Sequence, residues 1–168
     1  MNTLCYIALG SNLNDPRRQL VSARRALSDI AQIQVIAVSG LYASKPMGPQ
    51  DQPDYLNAVI AIETTLEPLA LLDTTQAIEQ QQGRVRKAER WGPRTLDLDI
   101  LLFGQQILDF PRLCVPHYGL QVREFVVLPL AEIAPSLVLP DGVHIAKLAK
   151  QIKRNGLYRR ETAQQWTH

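Results

Sequence analysis

Apolar residues in this chain fall into short runs whose spacing switches between period two and the three-to-four of a helix, which predicts strands interleaved with helices. Thr3 to Leu9 is a β-rich apolar run halted by Gly10-Ser11-Asn12, a buried first strand entering a turn. Asp15 then supplies an N-cap with Pro16 at the first helical position, and Leu20, Ala23, Leu27 and Ile30 recur at helical spacing, so a helix ends by about residues 29–31. From Ile33 to Tyr42 the period returns to two with β-branched residues, a second strand leading to the Pro/Gly loop at residues 44–50. A third strand, Tyr55 to Thr64, sorts by alternation into an aliphatic face (Leu56, Ala58, Ile60, Ile62) and a second face carrying Tyr55, Asn57, Val59 and Ala61. A second helix begins at Pro68, with Leu71, Leu72, Thr75 and Ile78 on its buried stripe and Gln76 and Glu79 on an adjoining polar side. Thr95 to Phe103 is the fourth strand. The order β-α-β-β-α-β is that of a ferredoxin-like α+β sandwich, with further elements added after Gly104.

At 168 residues, 46% of them hydrophobic and with a net charge of +2, the chain is one ordinary domain rather than a disordered segment. No apolar run approaches the ~20 residues that cross a bilayer, and Met1 to Tyr6 has no basic stretch ahead of an apolar one, so neither a membrane partner nor export is expected. Cys5 and Cys114 lie in apolar stretches without a second Cys or His at ligand spacing, which suggests two buried free thiols in a reducing cytoplasm. The small net charge conceals two basic blocks. Residues 84–94 set five basic side chains against Glu89 alone, and residues 147–160 hold six with no acid, leaving net −8 elsewhere. A basic centre in an acidic body points to an anionic ligand, whereas the terminal block reads as a solvated, partly frayed end.

The chemistry is densest at Arg94-Thr95-Leu96-Asp97-Leu98-Asp99-Ile100. With Leu96, Leu98 and Ile100 on the core face of a strand, Asp97 and Asp99 share the other, Cα atoms ~6.5 Å apart. Such a pair repels unless a cation lies between, and Mg²⁺ accepts one or two carboxylates plus phosphate oxygens and water; two ions there would stand ~3.5–4 Å apart. Two solvated acids, or acids paired with nearby arginines, are the plainer reading. Immediately upstream, Arg84, Arg86, Arg90 and Arg94 lie in a segment broken by Gly83, Gly92 and Pro93. Four permanently charged forks beside Mg²⁺ ligands suit a polyphosphate, and the segment has the character of a lid. It also fits an exposed solubilising loop or, through Trp91, a base-stacking nucleic-acid patch; the aspartates count against the last. Downstream, Arg112, His117 and Tyr118 gather around a proline turn in a pattern that suits an anion or nucleotide better than a metal, and Phe125 to Ala134 is mainly core.

Three long strings settle between these options: Gly10-Ser11-Asn12-Leu13, the run from Pro46 to Ala58 (PMGPQDQPDYLNA), and the run from Arg90 to Asp99 (RWGPRTLDLD). Together they resemble the 6-hydroxymethyl-7,8-dihydropterin pyrophosphokinases of folate biosynthesis, in their bacterial single-domain form, over residues 6–141. The resemblance implies a ferredoxin-like fold and transfer of pyrophosphate from ATP to the pterin hydroxymethyl group, leaving AMP. It implies that Asp97 and Asp99 hold two Mg²⁺ ions and that Arg84 and Arg94 act in catalysis. ATP would meet Gln76, Glu79, Arg86, Arg90, Ile100, Arg112, His117, Tyr118 and Arg123. The pterin would lie between Tyr55 and Phe125, with Asn57 on its polar edge, Ser44, Lys45 and Met47 along the lining loop, and Trp91 covering it when the 83–94 segment closes.

Two positions depart from the family pattern: Ser44 where threonine is common, and Lys45 where proline occurs. Serine keeps the hydroxyl, so the effect falls on loop rigidity rather than substrate identity. After about Gly142 the likeness fades, and no role follows for that segment. With ATP and the pterin as small-molecule partners, a monomer without nucleic-acid or membrane partners is the expectation. A nucleic-acid-binding module and a Mg²⁺-dependent nucleotide hydrolase on the same fold are the competing functions.

Overall fold

A computed structural model describes residues 2–13, 15–44, 54–82 and 96–167. The 83–94 arginine segment, and with it Arg84, Arg86, Arg90, Trp91 and Arg94, lies outside the described residues, as do Lys45 and Met47.

The first strand, β1 (Thr3–Ser11), continues through Gly10 where the sequence suggested a turn, and then enters α1 (Pro16–Ser28). Asp15 caps that helix, its carboxylate accepting from the Arg18 N–H at 3.4 Å with φ at 59°, a left-handed conformation that aspartate tolerates. Leu20, Ala23 and Leu27 are its buried stripe, as the spacing predicts. After β4 (Tyr55–Thr64) comes α2 (Pro68–Gln81), which buries Leu71, Leu72, Thr75 and Ile78. It also buries Glu79, which the sequence placed on the polar side; residues 72, 75 and 79 share one helical stripe, and the acid is kept there by a hydrogen bond to the backbone. The fourth predicted strand is β5 (Asp97–Phe103).

Between α1 and β4 the single strand expected over 33–42 is two, β2 (Ile33–Val38) and β3 (Leu41–Ser44). On β4, Val38 faces Ile60 but Tyr42 faces Asn57, so one extra residue is accommodated at Ser39–Gly40 and the side-chain alternation inverts. The rest of the chain supplies a hairpin, β6 (Leu108–Asp109) with β7 (Cys114–Val115), then α3 (Glu124–Ile133), α4 (Ile145–Gln151), β8 (Tyr158–Glu161) and α5 (Ala163–Trp166).

Every strand pair is antiparallel, in the order β5-β1-β4-β3-β8 with β2 also on β4, so the four-strand core follows the ferredoxin-like path. One face, bearing Ile7, Leu9, Ile60 and Ile62, is packed by α1 and α2. The other carries Tyr6, Val59, Ala61 and Leu102 under Val126, Val127 and Leu130 of α3 and Ile145 of α4.

The C-terminal segment overturns the frayed-end expectation. Its lysines and arginines are exposed, but β8 pairs with β3 and the Trp166 side chain is fully buried in the α1/α2-side core. The indole N–H donates to the Ser39 carbonyl at 2.8 Å, and Arg17 grips Glu161 through its Nε and Nη2. A buried tryptophan with its donor satisfied is a strong anchor for so short a segment. The Thr162–Gln165 capping box that starts α5 is the sequence signal for it. Cys114 is a second correction. Cys5 is buried, and burial pushes its thiol up to about 12, but Cys114 is exposed because the two-residue β7 turns Val115 inward and Cys114 out.

Candidate active site

The site grows from the phase of β5. Leu96, Leu98 and Ile100 enter the core on the α1/α2 side, which leaves Asp97 and Asp99 on the opposite face, paired across β1 with Gly10 and Ala8. One strand further, Gly10 faces Asn57, which in turn faces Tyr42 on β3. Asp97, Gly10, Asn57 and Tyr42 thus form a row across the sheet, with Asp97 and Asn57 two strand spacings apart, ~9.5 Å. Gly10 keeps the interval clear, since a Cβ there would come within 3.4 Å of Asn57 Oδ1. Sequence reasoning treated Gly10 as a strand stop; its place two residues after Ala8 was the available sign that this face of β1 is lined by small residues.

At the amide end, Asn57 is buried and its Nδ2 donates to Ser44 Oγ at 2.7 Å. Tyr55 faces Ser44 across the same strand pair, so Ser44, Tyr55 and Asn57 are neighbours on one sheet face. Phe125 opens α3 half-buried, with the Arg123 guanidinium carbon 5.7 Å from its ring centre.

At the acid end the Asp99 side chain is 45% exposed and its Oδ2 is 3.8 Å from His117 Nε2. His117 is pinned by its backbone N–H to the Leu101 carbonyl, and its Nδ1 accepts from the Gly119 N–H at 3.1 Å, which assigns the ring proton to Nε2, facing Asp99. Burial lowers the imidazole from its ordinary value, Asp99 pulls the other way and Arg123 adds to the lowering. The ring is therefore neutral at pH 7, and its contact with Asp99 is not an ion pair. Tyr118, strongly exposed, stacks on His117 with ring centres 4.5 Å apart, and Arg123 Nη2 donates to its hydroxyl at 3.1 Å.

Arg112 bridges to Asp73 and to Gln76 Oε1, which brings two of the predicted ATP contacts onto one rim. Two others sit differently from what their types suggest. Glu79 Oε2 accepts from the Leu98 N–H at 2.7 Å, covering the edge of β5 from beneath, and the Ile100 side chain is buried in the core. Ile100 can therefore offer a ligand only its backbone.

Hard carboxylate oxygens on one strand face suit Mg²⁺. Among the described residues no third His, Cys, Asp or Glu joins them in a metal-holding group, so the pair fits an ion that completes its shell with phosphate oxygens and water.

Fold and site together define a phosphoryl-group transferase built on a ferredoxin-like sheet, with two acids on its outermost strand and a buried amide two strands away. Comparison with known proteins makes the class specific. A model of the 7,8-dihydro-6-hydroxymethylpterin-pyrophosphokinase family matches residues 6–135. The 2-amino-4-hydroxy-6-hydroxymethyldihydropteridine pyrophosphokinase of Pseudomonas aeruginosa is 56% identical over 154 residues, 92% of this chain and 94% of that protein. The Haemophilus influenzae enzyme of the same name is 58% identical over 146 residues, 87% and 91% of the two chains. Among solved structures, Plasmodium falciparum HPPK-DHPS with pteroate superposes at a TM-score of 0.72 over 90% of this chain and 42% of that longer one. At 14% identity that likeness speaks for the fold alone. The chain belongs to the 7,8-dihydro-6-hydroxymethylpterin-pyrophosphokinase family, and it is a pyrophosphokinase of folate synthesis. The nucleic-acid-module and hydrolase readings are not favoured. No helix among the described residues is long and apolar enough to cross a membrane.

Proposed function

We propose that the chain joins ATP to 6-hydroxymethyl-7,8-dihydropterin across the Asp97–Gly10–Asn57 row, the triphosphate lying over the acid end and the pterin at the amide end. The single observation that carries this reading is that row: two carboxylates and a buried amide on one sheet face, separated by a glycine that leaves the interval open. Asp97 and Asp99 would hold two Mg²⁺ ions, which supply neutralisation of the triphosphate charge. The His117 Nε2–H, the Arg123–Tyr118 pair and Arg112 with Gln76 line the nucleotide side as donors and stacking surfaces. Glu79 and Ile100 serve that side indirectly, the first by fixing the β5 backbone and the second through its own backbone. Arg84 and Arg94 would act on the transferring group, Arg86 and Arg90 on the phosphates. Asn57, held by Ser44, reads the polar edge of a pterin stacked between Tyr55 and Phe125, with Lys45, Met47 and Trp91 around it.

In the reaction the pterin hydroxyl oxygen bonds to the β-phosphorus as the bond from that phosphorus to the bridging α–β oxygen breaks. AMP leaves with that oxygen, and the hydroxyl proton passes to solvent. Positioning and electrostatics carry most of the acceleration in such a step, and no side chain is required as an indispensable base. The test is incubation with ATP, Mg²⁺ and the pterin, with pterin-free and metal-free controls. Equal amounts of AMP and pterin diphosphate, dependent on both, are expected; AMP released without pterin would put a hydrolase in its place.

A further inference from the structure

The extra residue at Ser39–Gly40 is what turns Tyr42 and Ser44 onto the Asn57 face, and it is gripped from both sides of the sheet. On the α1/α2 side, Trp166 donates to the Ser39 carbonyl. On the other, Glu132 of α3 accepts from the Gly40 N–H with both carboxylate oxygens, each at 3.1 Å, and from the Tyr42 hydroxyl at 2.6 Å. Arg159 of β8 reaches to 3.8 Å of the same carboxylate and lies so close over Gly40 that a Cβ there would stand 2.5 Å from its Cδ. Glu132 comes from a helix fixed to the sheet by Val126, Val127 and Leu130, and Tyr42 is nearly fully buried. Both burial and the Glu132 bond raise the Tyr42 phenol above its ordinary value, so it stays a proton donor.

We propose that Glu132 and Tyr42, braced by Arg159, are positioning residues for pterin recognition: they lock the short strand β3 in the register that holds Ser44 Oγ against Asn57 Nδ2. That hydrogen bond ties the amide to β3. With Nδ2 committed to Ser44, Oδ1 lies over Gly10 and faces the acid end. An amide released to rotate would present donor and acceptor in exchanged places, and a site built to pair with a polar heterocycle discriminates strongly on that pattern. The inference rests on the pterin-binding reading of this end of the sheet and extends it to residues in α3 and β8.

The experiment measures steady-state KM for the pterin and for ATP in the full chain, for wild type, Tyr42→Phe, Ser44→Ala, Glu132→Gln, Glu132→Ala and the Tyr42→Phe/Ser44→Ala pair, with thermal melts confirming that each is folded. Loss of one such hydrogen bond predicts a pterin KM raised roughly threefold to tenfold in Tyr42→Phe, with the ATP KM unchanged. Glu132→Gln, which keeps an acceptor, restores most of what Glu132→Ala loses. In the Ser44→Ala background, Tyr42→Phe adds nothing, because the bond it protects is already gone. Equal rises in both KM values, or full additivity with Ser44→Ala, would overturn the strut while leaving the pterin reading intact. A wild-type chain that makes no pterin diphosphate would overturn that reading and the strut with it.

Discussion

Asp97 and Asn57 stand on one face of one sheet with only Gly10 between them, yet their surroundings are opposites. Asn57 is buried, hydrogen-bonded to Ser44, and backed by Tyr42 and Glu132. Asp97 and Asp99 are half-exposed on the outermost strand of the sheet path, two like charges, with a neutral imidazole 3.8 Å from Asp99. The amide end is held by fixed hydrogen bonds; the acid end sets two like charges side by side on a half-exposed strand. The division suits the function proposed for each end. An amide that discriminates a flat heterocycle gains from fixed donors and acceptors, whereas carboxylates that bind a cation and a polyphosphate must start out repelling each other and solvated enough to ionise.

Removing either carboxylate tests the acid end most severely. Asp97→Ala or Asp99→Ala is expected to lower kcat by ~10²–10³-fold or more while leaving the melting temperature close to wild type, because relief of the repulsion between two half-exposed like charges offsets what either carboxylate contributes to folding. Near wild-type turnover in Mg²⁺ would remove the metal role from that residue. The opposite pattern belongs to the support of the amide end. Trp166→Ala empties a fully buried site and breaks the hold on Ser39. A large core aromatic costs ~3–5 kcal/mol, a drop on the order of 10 °C for a domain of this size. A calorimetric melt checks it; an unchanged transition would mean that the tail is dispensable.

Asn57→Ala separates the two ends directly. It deletes a buried hydrogen-bonded amide without touching the phosphate side, so the pterin KM should rise by roughly 10-fold to 100-fold and the ATP KM should hold. If both constants rose together, the two ends would be one cooperative unit rather than a preformed half and a ligand-completed half.

How much of this contrast the sequence carries depends on where each determinant lies. The faces of β4 and β5 were legible because β4 alternates through its ten residues and β5 alternates from Asp97 to Ile100, ahead of the register shift at Leu101, which put Asp97 with Asp99 and Tyr55 with Asn57. The inversion at Ser39–Gly40 was not, since the groups that hold it, Glu132, Arg159 and Trp166, are 92 to 127 residues away along the chain. Trp166 was hidden for a related reason: one tryptophan in a polar stretch has no periodicity. Glu79 misled by its residue type, because helical spacing puts it on the buried stripe and only the Leu98 N–H across the gap explains why a carboxylate is tolerated there.

The smallest expected effect concerns His117, which the fold pins beside Asp99. Its Nδ1 accepts from the Gly119 N–H, so the fold favours the neutral ring, and burial lowers its folded pKa, with Asp99 opposing. In the unfolded chain the imidazole titrates near its ordinary value of 6.5. Between that value and the lower folded one the unfolded state binds more protons than the folded state, so stability contributed by the neutral ring is complete above about pH 6.5 and declines as the pH falls. The melting temperature should therefore fall between pH 7.5 and pH 5.5, and His117→Gln, which cannot titrate, should flatten that portion of the decline. A slope unchanged by the substitution would assign the acid sensitivity to other groups. A melting temperature that rose in wild type as the pH fell would mean that Asp99 outweighs burial and that the ring is charged beside it, which would make the acid end, too, prepaired before ATP arrives.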